Sequence, residues 1–248
     1  SKISGKLKKA EYLKLAKNQI SLAKNECVEA NEFKTAYSDL TCVEELSEIY
    51  LQYEDTLRRT NALDFDDLLV KTYELFVKNP EVAEYYATKF KYIHIDEFQD
   101  TNVAQMHLTV LLTNPATRNL MVVGDDDQSI YRFRGATIEN ILNFDRAFID
   151  AKIVKLEQNY RSTSNILNAA NGLISKNYHK HKKELWCANE QGEKIVVKET
   201  PSQNDEARFI VDEIIRLKEK NGYNYKDFAV LYRMNPLSRS LETIFANS

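Results

Sequence analysis

Three short apolar runs, each ending in polar residues, constrain this chain more than any other feature. Residues 91–95 read as a strand that runs into Asp96 and Glu97. Residues 120–123 read as a second, ending at Gly124-Asp125, and residues 153–156 as a third. Helical stretches at 103–112 and 138–148 separate them, and a further helix is expected over 162–174. Strand, helix, strand at intervals of about 30 residues is the pattern of parallel βαβ units. Such sheets place their ligands at the carboxyl ends of the strands, and the polar motifs here fall at those ends.

The flanks are simpler. Residues 1–60 contain one Gly, no Pro and many Lys, Glu, Leu and Ala, so they read as helical. Asp64 is placed to cap a helix carrying Leu68, Leu69, Thr72 and Phe76 on one face. Asn79-Pro80 starts another, with Pro at its first position. Further on, residues 195–197 and 228–232 are strand-like. Between them Ser202 and Asp205 resemble a capping box before a helical period at Ala207, Ile210, Val211, Ile214 and Ile215.

Composition bounds the function class. The 248 residues are 43% hydrophobic and 29% charged, a globular balance. The longest apolar run is the five residues 228–232, against about 20 for a membrane span. No apolar leader follows the first lysines, so a cytoplasmic location and no membrane partner are expected. The net charge of −3 excludes a wholly basic coat protein but leaves room for a local basic groove. Seven lysines against Glu11 in the first 24 residues, and the cluster Lys180, Lys182 and Lys183, are such candidates; solvated faces are the plainer reading. Cys27, Cys42 and Cys187 are widely spaced and suggest no disulfide framework. His179 and His181 with Cys187 lack a fourth ligand at the usual spacing and read as a solvated loop.

Three segments carry chemistry. Ile95-Asp96-Glu97 has the form of a Walker B element, in which one carboxylate holds Mg²⁺ and the next orients or deprotonates the attacking water. In Gly124-Asp125-Asp126-Asp127-Gln128-Ser129-Ile130-Tyr131-Arg132-Phe133-Arg134-Gly135, Gln128 can hydrogen-bond a γ-phosphate while staying neutral. Tyr131 and Phe133, two apart beside arginines, suit base stacking. In Glu157-Gln158-Asn159-Tyr160-Arg161-Ser162, Arg161 precedes a helix start and can meet developing phosphate charge. Taken singly, each segment has a plainer reading: solvated acids, an aromatic core plug, an arginine paired with a surface acid.

Taken together, IDEFQDTN, VVGDDDQSIYRFRGA and LEQNYRS, in this order, resemble motifs II, III and IV of the UvrD/PcrA/Rep family of superfamily 1 DNA helicases. LDFDDLL and FAVLYRMNPLSRSLE are similar to further family segments. The resemblance spans essentially the whole chain. It implies an α/β fold: RecA-like P-loop NTPase motor-domain portions, a parallel sheet flanked by helices, with an N-terminal α-helical subdomain. Residues 1–60 would be part of a helical accessory subdomain, 61–157 the later half of the first motor domain, and 158–248 the start of the second.

The resemblance also implies roles. Asp96 would hold Mg²⁺ with Glu97, which activates water. Gln128 would sense the γ-phosphate, Arg161 act as an arginine finger, and Tyr160 pack on the adenine of ATP. Tyr131 and Phe133 would stack on single-stranded DNA, with Arg134 on a phosphate or linking to the nucleotide site. Phe65 would be another base contact, although it also shares a helical face with Leu68 and Leu69. Arg233 and Asn235 would touch the DNA backbone. The implied activity is ATP-driven translocation on single-stranded DNA, 3′ to 5′, and unwinding at single-strand/duplex junctions, alongside repair or replication proteins. Phe133, where Trp is common in the closest helicases, keeps open a RecB/AddA-like helicase-nuclease subunit. A degenerate DNA-binding module is the non-enzymatic alternative.

The phosphate loop GxxxxGK[ST] is not found: the Gly-Lys step is Gly5-Lys6, followed by Leu7. The chain therefore reads as the middle of a longer helicase. Purified alone, it is expected not to hydrolyse ATP at a helicase-like rate; phosphate release from the isolated chain checks this.

Overall fold

The computed structural model describes residues 9–177 and 183–246. Gly5-Lys6, the lysines at 2, 6 and 8, and the His179–Lys182 stretch lie outside the described residues. The chain is a mostly helical α/β protein with a small parallel sheet. It divides into two compact units, residues 1–160 with 167–187, and residues 161–166 with 188–248.

The first unit opens with α1 (Lys9–Asn25), α2 (Phe33–Ala36) and α3 (Val43–Arg59). Ala16, Ile20 and Ala23 repeat at helical spacing on α1 and bury against Phe33, Leu46 and Tyr50. A second core joins α4 (Asp67–Lys78), α5 (Pro80–Lys89) and α6 (Val103–Leu112) through Phe76, Ala83 and Leu108. Pro80 stands in the first turn of α5, where its missing N–H costs nothing. Asn102 caps α6: it accepts from the Gln105 backbone N–H at 2.8 Å, while the Gln105 side chain takes the Asn102 N–H at 3.0 Å.

β1 (Ile93–Ile95) and β2 (Leu120–Val122) pair in parallel, with Ile93 opposite Leu120 and Ile95 opposite Val122. Bonds from Val123 N–H to Ile95 O and from Phe98 N–H to Val123 O continue the ladder past both strand ends. The acids of one strand and the glycine turn of the other are thus fixed side by side. The expected 138–148 helix is broken at Asn143 into α7 (Glu139–Leu142) and α8 (Phe144–Ala147); Asn143 leaves helical geometry, its N–H still donating to Glu139 O and its side chain to the Glu139 carboxylate.

α9 (Ser164–Ile174) carries the chain from the second unit back into the first. The second unit then contains α10 (Gln203–Asn221) and α11 (Ser238–Ala246), which pack on each other. Ser202 caps α10 through the Asp205 N–H, as its spacing predicts. Gly222, at φ +74°, ends α10 in the left-handed conformation that favours glycine.

Three strand expectations are corrected. Residues 153–156, 195–197 and 228–232 are not strands. An apolar run becomes a strand only when a neighbour takes its backbone groups, and among the described residues none does so. Ile153, Val154, Leu156, Val196, Val197 and Leu231 are consequently exposed. Nearby, Gln158 makes a single bridge to Trp186.

The residues joining α1 to the α4 turn form a buried ionic centre. Lys24, only 2% exposed, reaches Glu54 at 2.7 Å, and Asp64 and Asp67 at 2.8 Å each. Tyr53 donates to Asp64 at 2.8 Å. Asp64 and Asp67 also exchange backbone bonds: Asp64 accepts from the Asp67 N–H, and Asp67 from the Asp64 N–H. Asp64 thus caps the turn into α4, as its position suggests. Burial alone would lower the Lys24 pKa, but its bonds to Asp64, Asp67 and Glu54 outweigh this and hold the ammonium well above its ordinary value. Burial likewise pushes the Asp64 carboxyl up, and Lys24, the Asp67 N–H and Tyr53 bring it below the usual carboxylate range.

Because the folded pKa of Asp64 is depressed, its contribution is present above the unfolded value of about 4 and lost as pH falls through the lower folded value. Lys24→Met leaves the carboxylates without their cation, at a cost of about 3–5 kcal/mol at pH 7. Urea denaturation of the variant and the wild type at pH 7 and pH 5 measures this deficit, which should shrink towards the lower pH as the orphaned carboxylates protonate.

Candidate functional site

At the end of β1, Asp96 and Glu97 are both exposed. The Asp96 carboxylate accepts the Glu97 backbone N–H at 2.9 Å. Glu97 sits at φ +49°, ψ +43°, a left-handed conformation unusual for a residue with a side chain. It costs of order 1–2 kcal/mol, and the ladder bond from the next residue, Phe98, holds the chain there. The turn separates the Glu97 side chain from the strand direction and brings it to Gln99.

Gln99 is the junction of the site. Only 1% exposed, it donates from Nε2 to the Glu97 carboxylate at 2.8 Å and accepts on Oε1 from the Asp125 backbone N–H at 2.9 Å. Its carbonyl accepts from Ser129 at 3.3 Å. One buried amide therefore ties the acidic end of β1 to the loop after β2. The approach is close: a Cβ on Gly124 would lie 2.6 Å from Gln99 Oε1 and 2.9 Å from Ile141 Cδ1. Glycine is needed there for space.

Asp125 in turn orients the loop. Its carboxylate accepts from Gln128 Nε2 at 2.7 Å and from the Asp127 N–H at 3.0 Å, and it pairs with Lys183. The Lys183 ammonium also lies 3.4 Å from Asp126 and 3.6 Å from Asp127. Burial pushes the Asp125 carboxyl up, but Lys183, Gln128 and the Asp127 N–H outweigh it and hold it below the usual range. The ligand atoms of Asp125, Asp126 and Asp127 lie within 4.8 Å of one another, and Lys183 supplies the positive charge such a cluster needs.

Beyond Gln128 the loop presents two rings. Tyr131 and Phe133 lie with centroids 6.0 Å apart and planes tilted by 33°. The Arg134 guanidinium sits 5.3 Å from the Tyr131 ring and 5.6 Å from that of Phe133. Phe133 is 72% exposed, so these rings form an outward platform rather than a core plug. Phe65 precedes α4 and is 91% exposed, while Leu69 turns to the Phe76 core. The two readings of Phe65 are separated by this: it does not share the buried face.

The remaining expected site residues lie elsewhere. Tyr160, exposed, closes the first unit and donates to Gln158 at 2.8 Å. Arg161 opens the second unit. Arg233 and Asn235 are exposed in that unit, with Asn235 starting a 3₁₀ turn ahead of α11.

The UvrD/REP helicase N-terminal domain family matches residues 2–149, and the UvrD-like helicase C-terminal domain family matches residues 154–248. The chain belongs to the UvrD/Rep helicase family. The protein named ATP-dependent DNA helicase PcrA of Staphylococcus epidermidis is 47% identical over 232 residues, covering 94% of this chain and 30% of the relative. The protein of the same name from Staphylococcus aureus is 52% identical over 200 residues, or 81% of this chain and 27% of the relative. The chain thus spans about 30% of the length of these curated relatives.

Within the N-terminal helicase match fall Asp96, Glu97, Gln99, Asp125, Gln128 and the Tyr131–Arg134 platform; one hydrogen-bonded line joins Asp96 to Gln128, and the platform follows three residues later in the same loop. Tyr160, Arg161, Arg233 and Asn235 fall within the C-terminal match. Gln99 was not legible as a site residue, and Lys183 was legible only as one member of a candidate basic cluster. Gln99 stood inside the acidic motif, and its signal was an amide two residues past a strand-end acid. Lys183 stood in a lysine cluster that reads equally as a solvated face.

Gly124→Ala drives a methyl into Gln99 and Ile141. A loss of about 1–3 kcal/mol is expected from such overpacking, read as a lowered urea midpoint. Ala at Gly172, inside α9 with nothing within 4 Å, is the control: it has room for the methyl and a helical backbone, so it should raise the midpoint slightly, a gain of about 0.5–1 kcal/mol, rather than lower it.

Proposed function

We propose that this chain is the central part of an ATP-driven translocase on single-stranded DNA that unwinds duplex at single-strand/duplex junctions. Residues 1–60 belong to a helical accessory subdomain, 61–157 to the first RecA-like motor domain and 158–248 to the second. The observation that carries the reading is the continuous path from Glu97 through Gln99 and Asp125 to Gln128, three residues before the Tyr131–Phe133 platform. A motor needs such a path, because a change at the phosphates must reach the groups that grip the strand.

In this reading Glu97 orients and deprotonates the attacking water. Its carboxylate is restrained by the neutral Gln99 amide, which holds it in place. Gln128 hydrogen-bonds the γ-phosphate; released from or returned to Asp125, it reports the nucleotide state to the loop. Arg161 meets the developing phosphate charge from the second motor domain, and Tyr160 packs on the adenine. The donor set fits Mg²⁺: adjacent, exposed carboxylates suit a hard cation that keeps several of its waters. Bound by Asp96 and Glu97, Mg²⁺ would neutralise phosphate charge. Tyr131, Phe133 and Phe65 stack on bases, which every sequence offers. Arg134, over both rings, is placed for a backbone phosphate, and Arg233 and Asn235 contact the DNA backbone in the second motor domain.

Similarity to proteins named PcrA over most of the chain favours this reading over a helicase-nuclease subunit. The direction, 3′ to 5′, rests on the family resemblance. The full-length protein containing this chain should hydrolyse ATP faster with single-stranded DNA, and Glu97→Gln should lower that turnover by about 10²–10⁴-fold. Phe133→Ala should weaken oligothymidylate binding by about 1–3 kcal/mol. Turnover indifferent to DNA and to Glu97 would sink the motor reading.

A further inference from the structure

The last residue of α1 touches three segments that each adjoin a functional group. Asn25 is 6% exposed. Its Nδ2 donates to the Asp66 carboxylate at 3.1 Å and to the Ser21 carbonyl at 2.7 Å. Its Oδ1 accepts from Asn102 Nδ2. Its Cβ faces Gly135, where an added Cβ would stand 3.1 Å away. Asp66 follows Phe65, Gly135 follows Arg134, and Asn102 caps α6 just past the acidic strand end.

The neighbouring bonds make these three contacts rigid. Asp64, Asp66 and Asp67 are all held from α1, by Lys24, by Asn25 with Ser21, and by Lys24 again. The one residue of that turn left outside the grip is Phe65, which is thrown outward. Gly135, at φ +84°, closes the platform loop against Asn25. The far side of that loop is tied to the same place: the Thr137 N–H donates to Thr101 O at 3.0 Å, and Asn140 Nδ2 to Asn102 O at 3.1 Å.

We propose that Asn25 is a positioning residue for single-stranded DNA: it sets the spacing between Phe65 and the Tyr131–Phe133 platform, so that both engage one strand. The proposal rests on the reading that these rings stack on bases. It also explains the residue type. The position needs a donor for the Asp66 carboxylate and an acceptor for the Asn102 amide in one short side chain, and an amide supplies both. An aspartate would face Asp66 with a second carboxylate, and an alanine would leave buried groups unsatisfied.

The test uses the full-length protein and a fluorescently labelled oligothymidylate. Asn25→Ala should raise the dissociation constant about tenfold, the loss of one bond to a charged group. In a Phe65→Ala background the same change should have less than about a twofold effect, because the spacing it sets no longer matters. A residue that served stability alone would weaken binding equally in both backgrounds, and that result overturns the proposal. So does an Asn25→Ala protein that binds as the wild type does while Phe65→Ala and Phe133→Ala bind weakly.

If Asn25→Ala does not fold, Asn25→Asp keeps the size. It should lose affinity alone and regain part of it when combined with Asp66→Asn, which restores the donor–acceptor pair between positions 25 and 66 but not the side-chain bond to the Ser21 carbonyl; no regain at all overturns the proposal. If neither Phe65→Ala nor Phe133→Ala weakens binding, the stacking reading falls, and the proposal with it.

Discussion

The arrangement of the first unit depends on one buried cation. Lys24 is placed where α1, α3 and the turn before α4 meet, and it satisfies carboxylates from two of those segments. A lone ammonium there would not stay charged, and carboxylates without it would not stay buried. Each holds the other in place, so the helices must assemble in one register. Replacing such a centre with apolar residues of equal volume can be neutral for stability. What an apolar patch would not give is direction: an ion pair with three named partners admits one arrangement of α1 on the turn, whereas a greasy contact admits several. That single register is what turns Phe65 outward and delivers Asn25 to Asp66, Asn102 and Gly135.

A second polar junction, Gln99, does for the strand ends what Lys24 does for the helices. The two strands are only three residues long, and ladder bonds alone fix their backbone, not the side chains beyond them. Gln99 bonds a carboxylate on one side and a backbone N–H on the other. A carboxylate at this position would repel Glu97, and an aliphatic side chain would leave the Asp125 N–H without an acceptor. The amide is neutral, so it restrains Glu97 without adding charge beside it. Gly124 belongs to the same constraint, since any side chain there would displace the amide.

The parts legible in the sequence were those with local causes. The helix over 103–112 reads as a helical stretch, α5 follows from Pro80, α10 from Ser202, and the Ile93–Ile95 and Leu120–Val122 strands from apolar runs closed by polar turns. Tyr131, Phe133 and Arg134 were legible because alternate aromatics beside arginines have few uses on a surface loop. The parts not legible depend on distant partners. Residues 153–156, 195–197 and 228–232 have strand composition, but composition cannot supply a neighbouring strand. Lys24 and Asn25 looked like the end of a lysine-rich helix; their partners on other elements stand 30 or more residues away in sequence. Lys183 is a similar case, being 58 residues from Asp125.

The strain at Glu97 shows how the two junctions divide the work. A left-handed glutamate is unfavourable by itself, and in an unconstrained loop the residue would relax to an extended conformation. Here the next residue is committed to the ladder through Phe98, whose buried ring packs edge-on against Phe144, and the one after is committed through Gln99. The backbone at Glu97 is therefore fixed through Phe98, which does not touch its carboxylate, and the carboxylate is restrained by the Gln99 amide, which does. A charged group at the surface would otherwise sample many rotamers. The fold removes that freedom from the outside inward, using a hydrophobic ring for the main chain and a neutral hydrogen bond for the side chain, and it leaves Asp96 beside it open to solvent.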